Sequence, residues 1–134
     1  MDNTVGIVLV SHSHILADGL RDLLEQLGSG SGPRPIVPAG GTDDGGIGTS
    51  YDLILAAIGR ADQGAGVVVL PDIGSSVLTA RLVLEDYPRD DVVVVDAPFV
   101  EGAVAAAVTA AAGAGLDAVA AAAREARDIP KFPS

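Results

Sequence analysis

Two histidines occur in the 134-residue chain, and both stand in one short stretch, Ser11-His12-Ser13-His14. The apolar run Val5 to Val10 leads directly into it, and a helical pattern begins directly after it. Neutral imidazole is a nucleophile near pH 7. A histidine at the end of a strand stands where open α/β sheets collect their ligands, in the crevice beyond the carboxyl ends. A carboxylate on one ring nitrogen fixes the tautomer and leaves the other nitrogen free to attack. Asp72 ends another apolar run and can supply that carboxylate, which would also balance the charge of a phosphorylated ring. It is equally suited to cap the helix that follows.

Further residues on the same rim suit a phosphoryl group. Gly74, Ser75 and Ser76 would present amides at a helix N-terminus, where anions are favoured. Gly40, Gly41 and Thr42 could close the other side with amides and a hydroxyl, and the Ser13 hydroxyl binds a phosphate oxygen or caps the helix. The candidate site is therefore His12 and Asp72 as the catalytic pair, with Ser13, Gly41, Thr42, Gly74 and Ser75 around the phosphate. A Ser-His-Asp hydrolase is a rival reading, against which stand the absence of a G-x-S-x-G elbow and the adjacency of serine and base. His14 reads as a solvated residue at the helix start. A metal site is not expected, because His12 and His14 diverge and a third ligand is lacking. Without a G-x-x-x-x-G-K-[ST] loop, direct use of ATP is not supported, and no cofactor is expected.

Four apolar runs must position these residues. Val5 to Val10, Pro35 to Pro38, Gly66 to Pro71 and Asp91 to Asp96 read as strands, the second at an edge because of its prolines. Ile15, Leu16, Leu20, Leu23, Leu24 and Leu27 recur at helical spacing, opposite Asp18, Arg21, Asp22 and Glu25. Gly28 is a helix stop, and residues 29–33 read as a flexible connection. A glycine-rich loop, Ala39 to Gly48, precedes a helix capped by Thr49 or Ser50 and carrying Leu53, Ile54, Ala57 and Ile58. A third helix carries Val77, Leu78, Leu82 and Val83. The alanine-rich stretch from Ala103 to Ala123 reads as two helices, interrupted by Gly113, Gly115 and Asp117. Alternation of strand and helix predicts an α/β fold: an open, mostly parallel sheet of four to five strands with helices on both faces. The right-handed crossover rule puts all strand ends, and so Ser11-His12, Gly40-Gly41-Thr42, Asp72 and Ala97-Pro98, on one rim. Residues 1–128 are expected to form one domain, with a tail at 129–134.

Composition narrows the class. The chain has no cysteine, so thiol catalysis and disulfides are excluded. The formal net charge of −10 makes nucleic acid and anionic membranes poor partners. No apolar run reaches the ~20 residues of a membrane helix, and no basic segment precedes the first run as in a signal peptide. A cytoplasmic location is expected.

The motifs resemble those of a known family. Val8-Leu9-Val10-Ser11-His12-Ser13 resembles the opening of the phosphotransferase (DhaM) subunits of bacterial dihydroxyacetone kinases, relatives of the mannose-type enzyme IIA domains of the sugar phosphotransferase system. Gly40-Gly41-Thr42-Asp43 with Ile47-Gly48-Thr49 resembles their second loop. Asp72-Ile73-Gly74-Ser75-Ser76 resembles their Asp-Leu-Gly-Ser-Ala segment, and Ala97-Pro98-Phe99-Val100-Glu101-Gly102 their Ala-Pro-Leu-Val-Glu-Gly segment. The resemblance runs from about Val5 to Arg127. Pro71 departs from it, since the family tends to carry methionine before the aspartate. The resemblance implies a homodimeric phosphocarrier: His12 accepts a phosphoryl group from the phosphocarrier protein HPr. It then passes that group to ADP in the kinase subunit DhaL, which phosphorylates dihydroxyacetone held by DhaK. Some relatives carry HPr-like and enzyme I-like domains after this one; the donor here is expected to be a separate protein. Alternatives are a mannose-family sugar enzyme IIA domain and a non-catalytic α/β module binding a ligand or partner.

Overall fold

The computed structural model describes residues 3–27 and 35–133. The expected stop at Gly28 and the connection at 29–33 lie outside the described residues. Strands β1 (Gly6–Ser11), β2 (Ile36–Gly40), β3 (Val67–Pro71) and β4 (Val92–Val94) alternate with helices α1 (His14–Leu27), α2 (Tyr51–Ala61) and α3 (Gly74–Asp86). Helices α4 (Phe99–Ala111) and α5 (Leu116–Glu125) and a 3-10 turn (Ala126–Asp128) follow. The sheet order is β2-β1-β3-β4, and every pairing is parallel. The expected α/β architecture is thus present with four strands.

The β-branched runs explain the burial. All six residues of β1 are buried, as a central parallel strand covered on both faces requires. Ile7 and Leu9 point to one face, with Leu20 and Leu24 of α1, the inner alanines of α4 and Val119 of α5. Val8 and Val10 point to the other, with Ile54, Ala57 and Ile58 of α2 and Ala80 and Val83 of α3. Helix α1 carries the chain outward from β1 to β2, whereas α2 carries it back past β1 to β3. The strand order therefore reverses between β1 and β3, and their carboxyl ends open the crevice that such sheets use for ligands.

Several boundaries and faces differ from expectation. Strand β2 runs on through Pro38 to Gly40, and Pro38 is accommodated because β2 is an edge strand. Strand β4 stops at Val94, two residues before Asp96. Of the six apolar residues assigned to the inner face of α1 only Leu20 and Leu24 are buried, whereas Ile15, Leu16, Leu23 and Leu27 are exposed. In α3, Leu78 and Leu82 are exposed, and Ser76, Ala80 and Val83 face inward. The cause is the width of the buried stripe: more apolar residues satisfy the helical period than face the sheet, and the stripe is Ala17, Leu20 and Leu24 in α1 and Ser76, Ala80 and Val83 in α3. The alanine-rich stretch does form two helices, separated by a turn at Gly113 with φ +90°. Among the described residues no helix is long and apolar enough to cross a membrane.

Gly40 shows how tightly the site turn is held. A Cβ there would lie 2.6 Å from both the Ser13 carbonyl oxygen and the His14 Cα, and 2.9 Å from the Ala17 Cβ. Two of these obstacles are backbone atoms, which cannot rotate away. Gly40→Ala is therefore expected to cost about 3 kcal/mol. Thermal unfolding monitored by circular dichroism should show Tm lowered by about 10 °C.

Candidate functional site

His12 follows β1 and Asp72 follows β3, so the two strands flanking the crevice bring the two expected site residues together. The His12 Nδ1 lies 2.9 Å from Asp72 Oδ1, and the His12 backbone amide donates to Asp72 Oδ2 at 3.0 Å. Three more donors converge on the same carboxylate. The Ser76 hydroxyl donates to Oδ1 at 2.6 Å, the Ile73 amide to Oδ1 at 2.6 Å, and the Ser11 hydroxyl to Oδ2 at 2.8 Å. Asp72 thus does not cap α3: the cap residue is Ile73, with no side-chain hydrogen bond.

Burial is the largest influence on Asp72 and disfavours its charge. Hydrogen bonds from Ser76, the His12 and Ile73 amides and Ser11 outweigh it and lower the pKa from the ordinary 3.8 to about 2. An ionised carboxylate can only accept, so Nδ1 carries the hydrogen of the neutral ring and Nε2 keeps the lone pair. That Nε2 faces the Ser75 hydroxyl at hydrogen-bond distance, beside the opening turn of α3. The first amides of a helix have no intrahelical acceptor, and the cap residue Ile73 supplies none from its side chain. This Nε2 therefore looks at a hydroxyl and at the positive end of a helix, an environment suited to a phosphoryl group.

The depressed pKa has a stability consequence with a definite sign. Ionised Asp72 stabilises the folded state fully above its unfolded value near 4, and that contribution is lost as pH falls toward 2. It amounts to about 2 kcal/mol. Urea unfolding at pH 7, 4 and 2.5 should show the native chain losing about that much more than Asp72→Asn, which has no proton to gain.

The other expected site residues have local roles. The Ser13 hydroxyl accepts the Leu16 amide at 3.2 Å and so caps α1. Gly41, at φ +76°, donates its amide to the Ser11 carbonyl at 3.0 Å. The Thr42 hydroxyl donates to Asp44 and accepts the Gly46 amide, while the Thr42 amide donates to the Gly46 carbonyl. Gly48 closes the loop onto the turn, its amide donating to the His12 carbonyl at 2.8 Å. The glycine loop thus straps the histidine turn in place, and the Thr42 amide and hydroxyl are engaged within the loop itself. Beside it lies an open cleft lined by Asp43, Asp44 and Asp52, whose carboxylates repel phosphate. His14 opens α1 and is half exposed, 3.9 Å from Asp18.

The structure thus brings His12, Asp72 and Ser75 together, with Gly74 preceding Ser75 at the start of α3. It adds two hydroxyls that sequence reasoning did not assign to the site, Ser11 and Ser76, both fully buried. A signal existed for each: a serine closing a buried apolar strand, and a serine one helical turn beyond the aspartate.

Comparison with known proteins places this geometry. A family model described as PTS system fructose IIA component, of the EIIA-man type, matches residues 6–120. A Lactococcus lactis protein named PTS-dependent dihydroxyacetone kinase, phosphotransferase subunit DhaM, is 33% identical, covering 87% of this chain and 90% of its own. A Listeria innocua phosphoryl donor subunit DhaM of a PEP-dependent dihydroxyacetone kinase is 34% identical, over 80% of this chain and 82% of its own. The Providencia stuartii DhaM is 35% identical, but this chain spans only 25% of it. Likewise, it spans a quarter of the length of the Pantoea ananatis DhaM. A crystal structure of a protein of unknown function, EF1359, superimposes with a TM-score of 0.76 at 34% identity, over 92% of this chain and 95% of that one. With a parallel sheet, a histidine at its switch point and these relatives, the chain belongs to the mannose-type enzyme IIA family and groups within it with the DhaM phosphoryl-donor subunits of dihydroxyacetone kinases.

Proposed function

We propose that the chain is a phosphohistidine carrier working between HPr and a dihydroxyacetone kinase. The observation that carries this reading is the His12 ring itself: Nδ1 is held by Asp72, and Nε2 is presented to the crevice. In the first step Nε2 attacks the phosphorus of phosphohistidine on HPr. The donor N–P bond breaks as a new N–P bond forms, and the departing imidazole keeps the electron pair. His12 retains its Nδ1 hydrogen and becomes positive, facing the Asp72 carboxylate. In the second step a β-phosphate oxygen of ADP, bound in DhaL, takes the phosphoryl group from Nε2 to give ATP, from which dihydroxyacetone on DhaK is phosphorylated. Both N–P bonds are of one kind, so the protein's work is positioning and electrostatic stabilisation. A cytoplasmic homodimer belongs to the same reading, the dimer resting on the family resemblance; sedimentation analysis tests it.

Incubation with phosphoenolpyruvate, enzyme I and HPr, followed by intact-mass measurement, tests the proposal. One phosphoryl group, labile to acid, is expected. Its discharge on adding ADP and DhaL, but not a sugar-specific enzyme IIB, separates the kinase route from sugar transport. No uptake of phosphate from HPr would overturn the carrier reading.

A further inference from the structure

Ser76 has one task in the proposed carrier, donating to Asp72, although its side chain touches both members of the proposed catalytic pair. Its hydroxyl oxygen lies 2.6 Å from Asp72 Oδ1 and 3.1 Å from His12 Nδ1. Ser76 is completely buried in the first turn of α3, and its amide donates to the Ile73 carbonyl at 2.9 Å. A hydroxyl has one hydrogen and can accept with its remaining lone pairs. If that hydrogen goes to Asp72, the oxygen presents only acceptor character to Nδ1. Both neighbours of Nδ1 are then acceptors, and the ring nitrogen must carry the hydrogen. Were the hydrogen to turn toward Nδ1 instead, the carboxylate would face a bare lone pair, and Oδ1 would lose a donor.

We propose that Ser76 is a positioning residue that selects the reactive Nδ1–H tautomer of His12, by donating to Asp72 while accepting from the ring. It rests on the assignment of His12 as the phosphoryl acceptor. Ser11 provides the contrast inside the same site. It donates to the other carboxylate oxygen and to no ring atom, accepting the Ser13 amide instead. Among the described residues His12 is the only titratable side chain in hydrogen-bond contact with Asp72, from β1, α1 or α3.

The test compares Ser76→Ala with Ser11→Ala, with folding of each verified by circular dichroism. Long-range ¹H–¹⁵N correlation on uniformly labelled protein reads the tautomer ratio of the His12 ring directly. Ser76→Ala should raise the Nε2–H fraction about tenfold, the weight of one charge-assisted hydrogen bond. Phosphorylation by phosphoramidate, a small donor that needs no docking surface, should slow by about the same factor. Ser11→Ala should leave the tautomer ratio within about twofold of native, because its contact lies off the ring. Ser76→Cys, with a weaker S–H donor, should fall between native and Ser76→Ala. An unchanged ratio in Ser76→Ala, or an equal shift in both alanine variants, overturns the inference. The ratio is read without any phosphoryl donor, so this result is independent of whether the native chain takes up phosphate from HPr.

Discussion

His12→Ala is expected to abolish phosphate uptake altogether while leaving the fold intact. The ring contributes little to the core, since its side chain is 22% exposed in the crevice and its tight anchor is the backbone amide, which alanine keeps. What disappears is the proposed phosphoryl acceptor, whose Nε2 faces Ser75 in the opening turn of α3. His14 offers no substitute: it stands on the first turn of α1, and the carboxylate near its ring, that of Asp18 at 3.9 Å, is itself exposed. The assay is intact mass after incubation with phosphoenolpyruvate, enzyme I and HPr, alongside circular dichroism. An acid-labile phosphoryl group persisting on the variant would refute the assignment.

Asp72→Asn should come second in size, and it should divide into a kinetic and a structural part. Kinetically, the amide replaces a full negative charge that faces the cation formed on His12, and transfer should slow by at least about a hundredfold. Structurally, five donors now converge on a group with one acceptor oxygen. Leaving buried donors without partners costs about 1–3 kcal/mol each, so Tm should drop as well. Quenched-flow transfer from phospho-HPr gives the first quantity and thermal unfolding the second. A destabilised variant with native transfer rate would reduce Asp72 to a structural anchor.

The pattern of what the residues disclosed in advance has a physical logic. Val5 to Val10 and Gly66 to Pro71 were readable as strands because a central parallel strand is buried on both faces and needs no alternation. His12 and Asp72 were readable because they end those strands, and topology alone then brings them to one crevice. The helix faces are legible only in part, because more apolar residues fit the helical period than the stripe facing the sheet accommodates. Leu16, Leu23 and Leu78 satisfy the helical period, yet the buried stripes are Ala17, Leu20 and Leu24 in α1 and Ser76, Ala80 and Val83 in α3. The Thr42 hydroxyl could not be placed from sequence, since its partners Asp44 and Gly46 become available only once the loop has folded on itself. The same holds for Ser76: its spacing from Asp72 was visible, but the direction of a hydroxyl is set by tertiary contacts.

The 60-residue separation between His12 and Asp72 has a consequence for folding. The pair meets only after β1 and β3 have aligned in register, with the whole β2–α2 segment excursing between them. Closing so long a loop is a late and cooperative event, typical of high contact order. No fragment ending before Asp72 can hold a competent ring, however much local helix it retains. Competence for labelling therefore counts globally folded molecules, and its loss across a denaturant titration should superimpose on the loss of ellipticity. By mass action the reverse also holds: whatever binds the assembled crevice draws the folding equilibrium toward the native state.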